Sequence, residues 1–171
     1  LAQKEVKYYG SVTNAAKVEL TLYDVTYFKN VKKPIVTVVD PGGLELVTLR
    51  SYIRDPQNPR LHGKLKFQIN PDRSWEWHTY DALGRRTSRM TGWLDTHDIL
   101  DHGEPDPALV DTTTYDYSPV SPLDAASIKT YRPRTTSRTL GGILVSRTWN
   151  AYYPDPEGAE VRARSRNTWT G

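Results

Sequence analysis

Tyr80-Asp81-Ala82-Leu83-Gly84-Arg85 constrains this chain more than any other stretch, because it dictates a reversal of direction. Asp at the first corner of a type I turn can bond its carboxylate to the backbone two residues on. Gly at the fourth corner tolerates the conformation needed to leave the turn. The preceding Ser74-Trp75-Glu76-Trp77-His78-Thr79-Tyr80 is aromatic-rich and the following Arg86-Thr87-Ser88-Arg89-Met90 is polar, yet both suit a strand. The unit reads as a β-hairpin. Asp first and Gly fourth recur in Asp40-Pro41-Gly42-Gly43 and in Asp155-Pro156-Glu157-Gly158. Proline in second place presets φ for a type I or II turn.

The segments between turns alternate at period two. Val18-Glu19-Leu20-Thr21-Leu22 and Leu65-Lys66-Phe67-Gln68-Ile69 each keep apolar residues on one face. Pro34-Ile35-Val36-Thr37-Val38-Val39 is β-branched and nearly continuous, as a strand covered on both faces would be. Leu44–Ile53, Trp75–Tyr80, Ile143–Trp149 and Ala159–Trp169 are further candidate strands. Asn70-Pro71-Asp72-Arg73 supplies another turn, and the Gly141-Gly142 pair between strand-like runs marks a two-residue hairpin. No window holds an amphipathic helix, and 12 prolines punctuate the chain. The fold class is all-β, built of consecutive antiparallel hairpins.

The six residues Tyr80-Asp81-Ala82-Leu83-Gly84-Arg85 resemble the centre of a YD repeat, the unit of the RHS (rearrangement hotspot) proteins. Gly63 stands where that pattern opens and Gly92 where it closes, while His78 replaces the usual second aromatic beside Trp77. The resemblance implies an extended, curved repeat sheet in which hairpins join into the wall of a shell. It also implies a secreted or cell-surface, bacterial location and no enzymatic role. Its turn motif comprises Tyr80, Asp81, Gly84 and Arg85, with Asp40, Gly43, Asp155 and Gly158 at the related turns. Three regions follow: hairpin repeats over 1–94 with the clear repeat near 63–92, a polar acidic loop or insertion over 95–126, and further hairpins over 127–171.

Of the 171 residues only 37% are hydrophobic, yet 11 are Tyr and 5 are Trp. Such rings suit strands with one wet face, since they pack while keeping a polar atom available. Net charge is +3, and the densest basic run, Arg162-Ala163-Arg164-Ser165-Arg166, places three arginines on one strand face. No aromatic or glycine-rich RNA motif accompanies it, so a solvated face is expected and not a nucleic-acid groove. With no cysteine there is no disulfide, thiol nucleophile or thiolate metal site. No apolar run approaches the length of a membrane span and no signal peptide is evident. The chain starts at Leu1, which points to a processed product or a segment of something longer.

Residue types capable of chemistry crowd one place. His97 and His102 lie five apart among Asp95, Asp98 and Asp101, with Glu104 and Asp106 beyond. The spacing fits neither a helical zinc site nor a calcium loop, so no metal or cofactor is assigned. Thr113-Thr114-Tyr115-Asp116-Tyr117 echoes the Tyr-Asp motif without its Gly-Arg continuation. Asp40-Pro41-Gly42-Gly43-Leu44 is similar to the self-cleaving segment of RHS shells, but it sits between two strands and reads as a turn. A structural role with further copies, or with the remainder of a longer protein, is therefore expected. The alternative is a carbohydrate-binding surface module stacking glycans on Trp75 and Trp77, which share one strand face. That alternative requires ring faces open to solvent.

Overall fold

The computed structural model describes residues 2–10, 15–24, 32–41, 43–93, 103–119, 130–153 and 162–169. Its first six strands are β1 (Ala2–Gly10), β2 (Ala15–Asp24), β3 (Lys33–Val39), β4 (Leu46–Tyr52), β5 (Leu65–Ile69) and β6 (Trp75–Tyr80). The rest are β7 (Arg86–Gly92), β8 (Val110–Asp116), β9 (Thr135–Leu140), β10 (Ile143–Tyr153) and β11 (Arg162–Trp169). Strand order in the sheet equals chain order, each strand hydrogen-bonded to its neighbours in sequence. The described residues contain no helix. The all-β antiparallel fold expected from alternation and turns is what forms.

The chain divides into two compact units, Leu1–Glu76 with Ala82–Gly84, and Trp77–Asp81 with Arg85–Gly171. In the first unit, cross-strand register explains the alternation. Leu22 faces Val36, Val36 faces Leu49, and Leu49 faces Ile69, giving one aliphatic row across four strands. A second row runs Val6, Leu20, Val38, Val47 on the same face. Such directly opposed pairs are the stabilising unit of an antiparallel sheet.

The other face of this unit is polar. Arg50 donates from Nη1 to Thr37 Oγ1 (3.2 Å) and from Nε to Gln68 Oε1 (2.9 Å). Gln68 Nε2 donates to Asn70 Oδ1 (2.7 Å), and Asn70 Nδ2 donates to Ser74 Oγ (2.9 Å). This wet face also corrects the reading of Pro34–Val39 as covered on both faces. Every residue of β3 is only half-buried, so neither of its faces is fully covered.

In the second unit, β8 corrects the assignment of 95–126 to a loop. Val110–Asp116 is a strand between β7 and β9, with Val110 and Thr112 buried. Threonine supplies the buried methyl here, and a hydrophobic alternation filter reads threonine as polar. Met90 opposite Thr112 and buried Ser88 and Ser137 show the same economy of aliphatics. Arg138 grips Asp111 through Nε (3.1 Å) and Nη2 (2.7 Å). Leu140-Gly141-Gly142-Ile143 is the two-residue hairpin expected, with both glycines at positive φ and Leu140 opposite Ile143.

Candidate functional site

The Tyr-Asp motif forms the corner joining β6 to β7. Asp81 N donates to Arg85 O (2.9 Å), leaving Ala82, Leu83 and Gly84 as a three-residue loop. Gly84 has φ +75°, the left-handed residue that closes this class of hairpin. The Asp81 carboxylate reaches farther than the expected two residues. Its Oδ1 accepts Arg85 N (2.9 Å) and its Oδ2 accepts Arg85 Nε (2.7 Å). One carboxylate therefore holds both the backbone and the side chain of the residue leaving the turn.

Arg85 extends the corner further. Its guanidinium stands 4.3 Å over the Tyr117 ring, and Nη1 donates to Thr130 O (3.1 Å). Tyr117 returns its hydroxyl to Arg86 O (2.9 Å). The result is a clasp in which Asp81, Arg85 and Tyr117 fix the start of β7 to the chain after β8 and before β9. Burial raises the phenol pKa of Tyr117, partly opposed by the Arg85 charge. Burial raises that of half-buried Tyr80 also, with Arg86 pulling the other way. The echo at Tyr115-Asp116-Tyr117 is used differently. Asp116 Oδ1 accepts Ser118 N (2.8 Å), a local turn bond that lowers the carboxyl pKa.

The β5–β6 corner repeats the same geometry. Asn70 N donates to Ser74 O (2.8 Å) and Arg73 N to Asn70 O (3.0 Å). Arg73 takes the left-handed place at φ 64° without being glycine. Asp72 Oδ1 accepts Ser74 N (3.0 Å) and Ser74 Oγ (2.6 Å), and the hydroxyl bond leads in lowering its pKa.

The other named turns diverge. At Asp40 the left-handed residue is Asp40 itself (φ 57°), with Glu45 (φ 50°). Gly43 N and Glu45 N both donate to Asp40 O (3.0 and 3.2 Å). A Cβ on Gly43 would meet the Asp40 carboxylate, the movable end of a side chain, so a larger residue here would displace that carboxylate from the turn. Asp40 and Gly43 thus form a turn, but not the one at Asp81. Asp155 and Gly158 lie outside the described residues, as do His97, Asp98, Asp101 and His102. Asp106 is described, and its Oδ1 caps Ala108 N (2.9 Å). Among the described residues no three metal-binding side chains cluster.

Trp75 and Trp77 share a face of β6 as their spacing predicts, but they are only 7% and 4% exposed. Their ring faces are not open, which removes the stacking platform that a glycan site on these two residues required. Two ring contacts that local pattern did not foretell are those of Tyr117 with Arg85 and of Arg134 with Tyr152. Arg134 is almost wholly buried, with its guanidinium 4.7 Å over the Tyr152 ring and Nη1 donating to Arg132 O (3.1 Å). Neither contact has a short-range signal in the sequence.

Fold and corner together define a meander of antiparallel hairpins in which Asp72 and Asp81 brace successive turns. No protein-family model matches the chain, and no curated protein does. Among solved structures, it is similar to the N-terminal domain of effector protein SpvB from Salmonella typhimurium strain LT2. That similarity has 13% identity and a TM-score of 0.48, and covers 98% of this chain and 70% of the other.

Proposed function

We propose that this chain is structural: a run of YD-type hairpins forming part of the wall of a secreted or surface-exposed, self-assembling shell. Its partners are further copies or the remainder of a longer RHS-type protein. The observation that carries the reading is that every strand pairs with its chain neighbours, while two successive corners, Asn70–Ser74 and Asp81–Arg85, use one turn geometry. A sheet built this way grows by adding hairpins, and repeat arrays draw stability from each added neighbour. Among the described residues the outermost strands, β1 and β11, each have one strand neighbour. An unpaired strand edge is a template for further strands.

Sedimentation velocity over a concentration series tests this. The reading predicts species larger than the single chain, growing with concentration. A strictly monomeric chain up to its solubility limit would count against an assembling wall.

A further inference from the structure

We propose that β1 is a self-complementary dimerisation edge, pairing antiparallel with β1 of a second copy about a two-fold axis through Val6. This rests on the structural reading above and names the contact. Ala2–Gly10 pairs with β2 along one side, and among the described residues no strand lies on its other side. Val6, Tyr8 and Tyr9 are 37%, 47% and 44% exposed, an unusual display for an edge that stays unpaired.

The occupant follows from the order of charges. Val6 is the middle residue of the strand, so an axis through it sets Glu5 opposite Lys7 of the second copy, and Lys7 opposite its Glu5. Lys7 Nζ already lies 4.0 Å from Glu5 Oε1 within the chain. The dimer therefore completes a square of four charges whose neighbours all differ in sign. On the opposite face Lys4 meets the Tyr8 ring of the second copy, a cation–π geometry. Tyr23 OH holds Glu5 Oε2 (2.8 Å), so one corner of the square is fixed before association.

Competing registers are worse. An antiparallel edge can shift only by two residues if the outward backbone groups are to meet. One such shift opposes Glu5 to Glu5, the other Lys7 to Lys7, and like charges directly opposite are destabilising. Pairing β1 with β11 of another copy sets one of Lys4 and Lys7 on the same face as Arg162, Arg164 and Arg166, like charge against like. The two-fold contact is thus preferred and closes on itself, giving a dimer and not an open filament.

Sedimentation equilibrium on the full chain and three variants tests this, with circular dichroism confirming that each variant folds. Lys7→Glu turns both attractive pairs repulsive and should weaken dimerisation roughly tenfold or more. Val6→Lys, which puts two ammonium groups on the axis, should do the same. Glu5→Lys/Lys7→Glu restores opposite signs across the axis and should recover most of the affinity. Association that is unchanged in the single variants, or a double variant as weak as Lys7→Glu, overturns the β1 contact and leaves the structural reading standing. A wild-type chain that never associates overturns both.

Discussion

A Cβ on Gly84 would lie 2.5 Å from the backbone carbonyl oxygen of Arg60, in the loop that joins β4 to β5. The corner of the Tyr-Asp motif is therefore glycine for two reasons, its left-handed φ and the backbone lying over it.

These two reasons separate experimentally. Asparagine tolerates the left-handed region but carries a Cβ, so Gly84→Asn should still destabilise the fold. Gly84→Val adds backbone strain of about 1–3 kcal/mol and should be worse. Ala82 is exposed, and Ala82→Val should be close to neutral. Urea denaturation ranks the three, and a wild-type midpoint for Gly84→Asn would remove the Arg60 contact from the account.

Arg73 holds the equivalent place at φ 64° with a side chain that is exposed. The left-handed conformation costs an L-residue about 1–2 kcal/mol, against an entropic cost of glycine of about 0.5–1 kcal/mol. Arg73→Gly should then raise stability by about 0.5–1 kcal/mol, read as a higher urea midpoint at unchanged slope. The same change at a non-strained turn residue would lower it.

The Asp81–Arg85 clasp predicts graded losses. Asp81→Ala removes two bonds to Arg85, and hydrogen bonds to charged groups contribute about 1.5–3 kcal/mol when well shielded. Both side chains are partly exposed, at 23% and 21%, so a loss of about 1–2 kcal/mol is expected after solvent screening. Asp81→Asn keeps an acceptor for Arg85 N and should fall between Asp81→Ala and wild type. A double-mutant cycle with Arg85→Gln should give a coupling energy clearly above zero, and additivity would mean the contact is energetically idle.

Trp77 should behave as core. Trp77→Ala is expected to cost about 3–5 kcal/mol, and Tyr80→Ala should be similarly severe if its ring supports the corner. Adding oligosaccharides should leave the Trp75 and Trp77 contribution to fluorescence unchanged. A saturable quench abolished by Trp77→Ala would restore the glycan reading.

Stability should fall at both ends of the pH range. The Asp116 carboxyl is held below its ordinary value chiefly by the Ser118 backbone bond. Its contribution is thus present above an unfolded pKa of about 3.9 and lost as pH falls through the folded value. Tyr52, Tyr80 and Tyr117 are raised, chiefly by burial. Their contribution is full below an unfolded pKa of about 10 and lost as pH rises through the folded values. Urea midpoints against pH should show both limbs, and Asp116→Ala should flatten the acid one.

Local pattern is enough to set the strands whose two faces differ in polarity and the turns whose geometry needs particular residues. Leu65–Ile69 and Trp75–Tyr80 form strands with those limits. Gly141-Gly142 and Gly84 adopt the backbone their sequence implied, because period-two burial and positive φ are properties of adjacent residues. Strand β8 was hidden, since its buried face is Val110 and Thr112 and a threonine methyl does not register as hydrophobic. Long-range packing made Trp75 and Trp77 core, because a strand face is buried or open according to what covers it. It also decided that Arg85 grips Tyr117 and that Arg60 overlies Gly84. These contacts join residues tens of positions apart, where no local spacing rule reaches and only the pairing of strands brings them together.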